Sequence, residues 1–245
     1  MKIKNTKNFI DFCNEIGLKA FFSEIPVKKF NYDINNFTSR KGIQTNITCD
    51  NQDKHELLKN LKERVKELDC NLKKTSTNLV FGDGDINADL MLIGEAPGSE
   101  EDKTGFPFVG QAGDLLNLIL QAIKKEKNKC YISNVIFWRP PGNRNPSQDE
   151  IKMCLPFIKE QIEIISPKFL ILLGNIASQT LLKNSLGITK ICGQKFEYEL
   201  CAKKIPCWPI FHPAFLLRNP YAKKELWLKL CQIYNFIEES YENKL

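Results

Sequence analysis

Leu90-Met91-Leu92-Ile93-Gly94-Glu95-Ala96-Pro97-Gly98, followed by Gly105-Phe106-Pro107-Phe108-Val109-Gly110, is the stretch from which the fold can be read. The apolar run 90–93 has the length and composition of a buried strand, and it stops at Gly94. Glycine, proline and acidic residues then hold a loop until Leu115, Leu116, Leu118, Ile119 and Ile123 resume at helical spacing. Strand, glycine-rich loop and helix are the local plan of a parallel α/β sheet, in which ligands bind at the carboxyl ends of the strands.

Working outward, the same plan recurs. Residues 130–135 suit a strand through Tyr131, Ile132 and Val135, and its end carries Asn134. Residues 169–173 form another, ending at Gly174-Asn175, and 207–211 a fourth, ending at His212-Pro213. Each is followed by a loop and a helical pattern. Ser147 and Glu150 make a capping box for a helix whose apolar face is Ile151, Cys154, Leu155, Ile158, Ile162 and Ile165, with a kink expected at Pro156. Upstream, Leu57, Leu58, Leu61, Val65 and Leu68 stripe a helix over 53–69, and a last helix spans 221–238. The prediction is an α/β fold with a parallel sheet covered by helices on both faces. Residues 1–52 read as an N-terminal extension: an amphipathic helix through Phe9, Phe12, Cys13 and Ile16, then an asparagine-rich linker over 31–53 expected to be disordered. Residues 53–245 read as the globular domain.

Composition narrows the class. A chain of 245 residues with 42% apolar and 26% charged residues can bury a full core and has the balance of a soluble globule. No apolar run is long enough to cross a bilayer and the start lacks a signal-peptide pattern, so the expectation is a cytoplasmic protein without membrane contact. Nine cysteines without a CxxC pair read as reduced core thiols. His55 and His212 are the only imidazoles, and neither has cysteines at zinc-ligand spacing. The net charge of +6 agrees with a polyanionic partner, although a lysine-rich composition alone gives the same figure.

The strand ends carry groups that a fold by itself does not require. The Asn134 amide offers a donor and an acceptor that can read a nucleobase edge; alternatively it bonds its own loop. Phe108 is either a stacking platform for a flat ligand or a core side chain. His212 follows directly on an apolar strand and is suited to donate to developing negative charge, with a structural histidine as the other reading. Leu216-Leu217-Arg218, fenced by Pro213 and Pro220, suits a wedge entering a base stack while the arginine holds a phosphate. Arg139 and Arg144, in the proline- and glycine-rich loop 137–146, suit phosphate contacts as well.

Taken together, Gly94-Glu95-Ala96-Pro97-Gly98, Glu101-Asp102-Lys103-Thr104-Gly105, Pro107-Phe108-Val109-Gly110, Ala112-Gly113, Asn134, Arg139-Pro140-Pro141-Gly142-Asn143-Arg144 and His212-Pro213 with Leu216-Leu217-Arg218 resemble the family 4 uracil-DNA glycosylases. The likeness runs in family order from about Cys70 to the last helix. It implies a three-layer α/β/α sandwich on a central four-stranded parallel sheet, and a monomer that removes uracil from single- or double-stranded DNA in base excision repair. By that resemblance, Gly94, Glu95 and Ala96 lie against the uracil, Phe108 stacks on it, Asn134 pairs with its polar edge, and His212 donates toward O2. Asn143 and Glu101 support the site, and the wedge is Leu216 or Leu217, with Leu216 preferred because it lies four residues after the histidine.

The sequence departs from its relatives in two places. Ala96 stands where family 1 glycosylases place a water-orienting aspartate, which leaves Glu95, Glu101 and Asn143 as candidate partners of the attacking water. Family 4 members commonly hold a 4Fe-4S cluster on four cysteines. The matching positions here are Glu67, Cys70, Trp138 and Cys154, so two ligands are gone, and no cluster or other cofactor is expected. No lysine occupies a nucleophile position in these motifs, which predicts a monofunctional glycosylase without lyase activity. A relative that traps its product through a histidine on an inserted loop is disfavoured by the 139–144 segment, which has neither. The Gly94 loop lacks the GK[ST] of a nucleotide-binding P-loop. The alternative from another class is a non-catalytic DNA or damaged-base binding protein on the same fold.

Overall fold

The computed structural model describes residues 51–200 and 203–242. The helix expected within 1–28 and the linker expected over 31–50 lie outside the described residues. The linker's last residues, 51–53, already belong to the first helix. In chain order the elements are α1 (Asn51–Glu67), β1 (Asp83–Gly84), β2 (Leu90–Gly94), α2 (Ser99–Thr104), α3 (Gln111–Ala122), β3 (Tyr131–Asn134), α4 (Gln148–Ile165), β4 (Phe169–Leu173), α5 (Asn175–Leu182), α6 (Ile188–Ile191), β5 (Phe196–Leu200), β6 (Lys203–Ile210), α7 (Pro213–Arg218) and α8 (Tyr221–Glu242).

The strand order is β1-β3-β2-β4-β6-β5. The four strands anticipated from sequence, β3-β2-β4-β6, are the parallel centre. Every residue of β2, β3 and β4 is buried, which is why these segments read as unbroken apolar runs. Successive side chains go to opposite faces. Met91 and Ile93 join the core under α1 and α4 with Leu61, Val65, Ile158 and Ile162, while Leu90 and Leu92 join the core under α3 and α8 with Leu116, Ile119, Leu226 and Leu230. This is the three-layer sandwich.

The sheet has six strands rather than four. The additional β1 and β5 are antiparallel edge strands, and β6 begins at Lys203 because its first half pairs with β5 as a hairpin. The kink expected at Pro156 is not a break: α4 runs from Gln148 to Ile165, with Pro156 on its exposed side and Ile151, Cys154, Ile158 and Ile162 buried opposite. The segment 213–218, placed in a loop by its flanking prolines, is a short helix. Pro213 sits at its first position, where a missing N–H is harmless, and His212 is its N-cap. No helix among the described residues is long and apolar enough to cross a membrane.

Candidate active site

The carboxyl ends of the parallel strands frame a cleft of about 420 Å³, lined by Glu95, Ala96, Glu101, Phe108, Asn134, Asn143, Arg144, His212 and Arg218 among others. Residues far apart in the chain meet here because they share strand ends: Gly94 lies directly across from Asn134 in the β2–β3 register. Arg139, Leu216 and Leu217 are not part of the lining.

Asn134 is 2% exposed, and its buried Oδ1 has no hydrogen-bond partner among the described residues. Such an acceptor costs about 1–3 kcal/mol when left unmet. Gly94 makes room for it: a Cβ there would lie 2.3 Å from Asn134 Oδ1 and 2.7 Å from Phe108 Cζ. Phe108 itself has φ of 53°, a left-handed conformation that costs a bulky residue roughly 1–3 kcal/mol and collects at ligand sites.

His212 Nδ1 accepts a hydrogen bond from the Ala214 N–H at 3.1 Å. An acceptor at Nδ1 means that the neutral ring carries its proton on Nε2, as a donor. Burial, and then the charge of Arg218, lowers the imidazole pKa to about 4, against a smaller opposing influence of Glu101. The ring lies 5.6 Å from that of Phe108 at an interplanar angle of 32°. Gly174, with φ of +93°, permits this approach, since a Cβ there would stand 3.0 Å from His212 Cβ.

The carboxylates divide by commitment. Glu101 Oε1 accepts from the Val109 and Gly110 N–H groups at 3.0 and 3.3 Å, and Oε2 accepts from the Gly98 N–H at 3.1 Å. It ties α2 to the Phe108 loop, which gives a form to the supporting role expected of it. Asn143 has φ of 55°, and its Oδ1 accepts from Arg139 Nε at 2.7 Å. Glu95 is half-buried and makes no side-chain hydrogen bond with the described residues, and burial raises its pKa above the ordinary carboxylate value. Of the three candidate water partners, Glu95 is the uncommitted one.

Two residues near the cleft are placed in ways the sequence does not show. Arg144 donates from both terminal nitrogens to Glu150, at 2.9 and 2.7 Å, and to the Asn145 carbonyl at 2.9 Å, so its fork is shared with a carboxylate of the protein while its side chain stays 48% exposed. That bond is the main reason the Glu150 carboxyl is held at about 2. Of the two candidate wedges, the preferred Leu216 is the one turned away from solvent. Helical geometry in α7 turns Leu216 inward, 1% exposed, into the core beneath α8, and leaves Leu217 40% exposed next to the exposed Arg218.

At the positions matched to cluster ligands, Cys70, Trp138 and Cys154 are all buried in one apolar core, and Glu67 is exposed. Trp138 meets Phe137 edge-on at 6.3 Å, and burial pushes the Cys154 thiol up to about 12. No group of three or more His, Cys, Asp or Glu among the described residues could hold a metal. A 4Fe-4S cluster needs four thiolates, and an indole and an outward carboxylate do not supply the missing two.

The uracil DNA glycosylase superfamily model matches residues 81–231. Among curated proteins, the chain is 40% identical to a type-4 uracil-DNA glycosylase of Sulfurisphaera tokodaii over 175 residues, 69% of this chain and 80% of that one. It is 41% identical to a type-4 enzyme of Thermotoga maritima, covering 68% and 86% of the two chains, and 35% identical to one of Pyrobaculum aerophilum, covering 76% and 93%.

Proposed function

Since the chain belongs to the type-4 uracil-DNA glycosylases, we propose that its cleft flips uracil out of DNA and hydrolyses the N-glycosidic bond to leave an abasic site. The observation that carries this reading is the buried, unpartnered Oδ1 of Asn134 at the bottom of the cleft. Uracil presents N3–H to such an acceptor and O4 to the amide's donor. Cytosine presents a bare N3 and an amino group, so both contacts become mismatched, at about 1–3 kcal/mol each. Thymine and uracil share this edge, so Asn134 by itself separates uracil from cytosine only.

A uracil stacked in a duplex is out of reach, and extruding it costs a few kcal/mol, which a side chain filling the gap offsets. Leu217, exposed beside the cleft, is better placed for this than the buried Leu216. The extruded base stacks on Phe108. As the N1–C1′ bond breaks, both its electrons leave with the base, and negative charge grows on uracil O2. The neutral His212, with its proton on Nε2, donates there. A donor fixed in advance by the Ala214 contact needs no reorganisation at the moment of reaction. Water bonds to C1′ as the base departs. Glu95, unbonded and with a raised pKa, is the group suited to orient that water and take its proton, in place of the carboxylate absent at Ala96. Among the described residues no lysine lines the cleft to form a Schiff base with the sugar, which supports a monofunctional hydrolase. No step uses an iron–sulfur cluster.

The test is incubation of the protein with an oligonucleotide holding one uracil, followed by alkali. Strand breakage at the uracil, and none without alkali, is the expected result. An intact strand that nonetheless binds the protein would mean a damaged-base binding protein on this fold. Breakage before alkali would mean lyase activity.

A further inference from the structure

Lys127 stands in a lysine-rich turn between α3 and β3, where nothing in the sequence distinguishes it from Lys124, Lys125 or Lys129. In three dimensions it is distinct. Its Nζ reaches back across the start of α3 to donate to the Phe108 carbonyl at 2.6 Å, and it is half-buried in doing so. That carbonyl has no other hydrogen-bond donor among the described residues. It is also pressed from below, since a Cβ on Gly113 would fall 1.8 Å from the Phe108 oxygen.

The peptide that Lys127 holds is the one that follows the left-handed Phe108. On its far side, the Val109 N–H of the same peptide is held by Glu101. One peptide plane is therefore gripped at both ends, its oxygen by an ammonium and its nitrogen by a carboxylate. A change of φ at Phe108 swings its Cβ and its carbonyl together about the N–Cα bond, so relaxation to an ordinary φ would pull this peptide out of its grip and carry the ring off the wall it shares with Gly94 and His212. Two backbone states differ in their need for Lys127, so the lysine biases the equilibrium between them.

We infer that Lys127 is a positioning residue for base recognition: its hold on the Phe108 carbonyl keeps the Phe108 ring in the stacking position. The inference rests on the reading that Phe108 stacks on uracil, and the experiment separates the two. Free uracil, a neutral base without phosphates, is used as a competitive inhibitor, so that loss of a DNA phosphate contact cannot imitate the effect. Lys127→Met raises the uracil inhibition constant and the KM for a uracil oligonucleotide about tenfold, with a smaller change in kcat, the pattern of lost binding common to ground and transition states. Lys127→Arg, which keeps a cation within reach of the carbonyl, stays within about threefold of the parent. Phe108→Leu raises the same inhibition constant.

An inhibition constant unchanged in Lys127→Met but raised in Phe108→Leu overturns the role of Lys127. A constant unchanged in both overturns the stacking reading and the inference with it. General damage to the fold lowers the active fraction and apparent kcat without moving the inhibition constant, and that result also counts against Lys127. Should Lys127→Met fail to fold, Lys127→Gln is measured in its place against the same expectations.

Discussion

The bottom of the cleft and the core around Trp138 are both buried ends of the same architecture, and they treat polar groups in opposite ways. In the cleft, and among the described residues, Asn134 keeps an acceptor without a donor, Phe108 keeps a strained φ, Glu95 keeps a carboxylate without a partner, and burial drives His212 to its neutral form. Around Trp138 two thiols and an indole lie among aliphatic and aromatic side chains, and the one carboxylate faces water. The other buried acceptor without a partner among the described residues, Gln161 Oε1, lies farther along α4, where its Nε2 donates to the Phe81 carbonyl and the Tyr131 hydroxyl. Unspent polar capacity in a folded interior costs stability, so a cluster of it marks a place where a ligand can use it. At the positions matched to cluster ligands the side chains pack as ordinary core. That contrast distinguishes the two regions more sharply than burial alone does.

The largest break in that comparison comes from His212. His212→Ala lowers turnover by about 2.7–4 kcal/mol, roughly 10²–10³-fold, if the Nε2–H donates to developing charge. Single-turnover kinetics on a uracil oligonucleotide measures it, and near-normal turnover would return His212 to a structural role. The pH dependence has a definite sign. The folded pKa of about 4 lies below the ordinary 6.5, so on acidification the unfolded chain takes up the proton first. The stability contributed by the neutral ring is complete above about 6.5 and is lost as pH falls through about 4. His212→Asn, which keeps an N-cap but does not titrate, should show a shallower loss of melting temperature between neutral and acid pH.

The adjacent leucines divide the two kinds of burial within one helix turn. Leu216→Ala should cost about 2–5 kcal/mol of stability by denaturant unfolding. Leu217→Ala should leave stability within about 0.5 kcal/mol and weaken excision from duplex more than from single strands. Equal activity on both substrates would remove Leu217 as the wedge. Asn134→Asp sharpens the account of the unpartnered acceptor: preference should move from uracil toward cytosine by about 1–3 kcal/mol per mismatched contact, read as the ratio of kcat/KM values. An unchanged ratio would mean that Asn134 does not read the base. The smallest effect belongs to the other region. Prolonged chelation should leave excision and melting temperature unchanged, and the purified protein should show no iron–sulfur absorbance; a brown protein would reverse the comparison.

Much of this was visible in the chain itself, for reasons that differ by element. The four parallel strands were legible because burial on both faces demands unbroken apolar runs such as Phe169-Leu170-Ile171-Leu172-Leu173. The edge strand β5, Phe196-Glu197-Tyr198-Glu199-Leu200, alternates in burial and carries its polar side to solvent, and β1 is two residues long, so neither gives such a signal. The cleft residues were legible from strand ends and glycine spacing. How they are held was legible only in outline, as a supporting role for Glu101 and Asn143. Glu101 spends its carboxylate on three backbone amides, and Arg144 closes on Glu150, whose place in a capping box gave no hint of a second task. Such side-chain-to-backbone pairings across eight or nineteen residues leave no periodic trace, and Lys127 is the extreme case.

The register that sets Gly94 across from Asn134 makes catalysis a gauge of correct folding. The side-chain repeat of a strand is two residues, so a slip of one place between β2 and β3 would carry Asn134 to the opposite face of the sheet. The β2–β3 pairing joins segments some forty positions apart, so it depends on closing a long loop rather than on local contacts. A misregistered sheet could retain most of its apolar burial and still have no base-reading edge. Excision of uracil would then fall to nothing in molecules that look nearly native by secondary structure alone, and specific activity becomes the stricter measure of a properly assembled sheet.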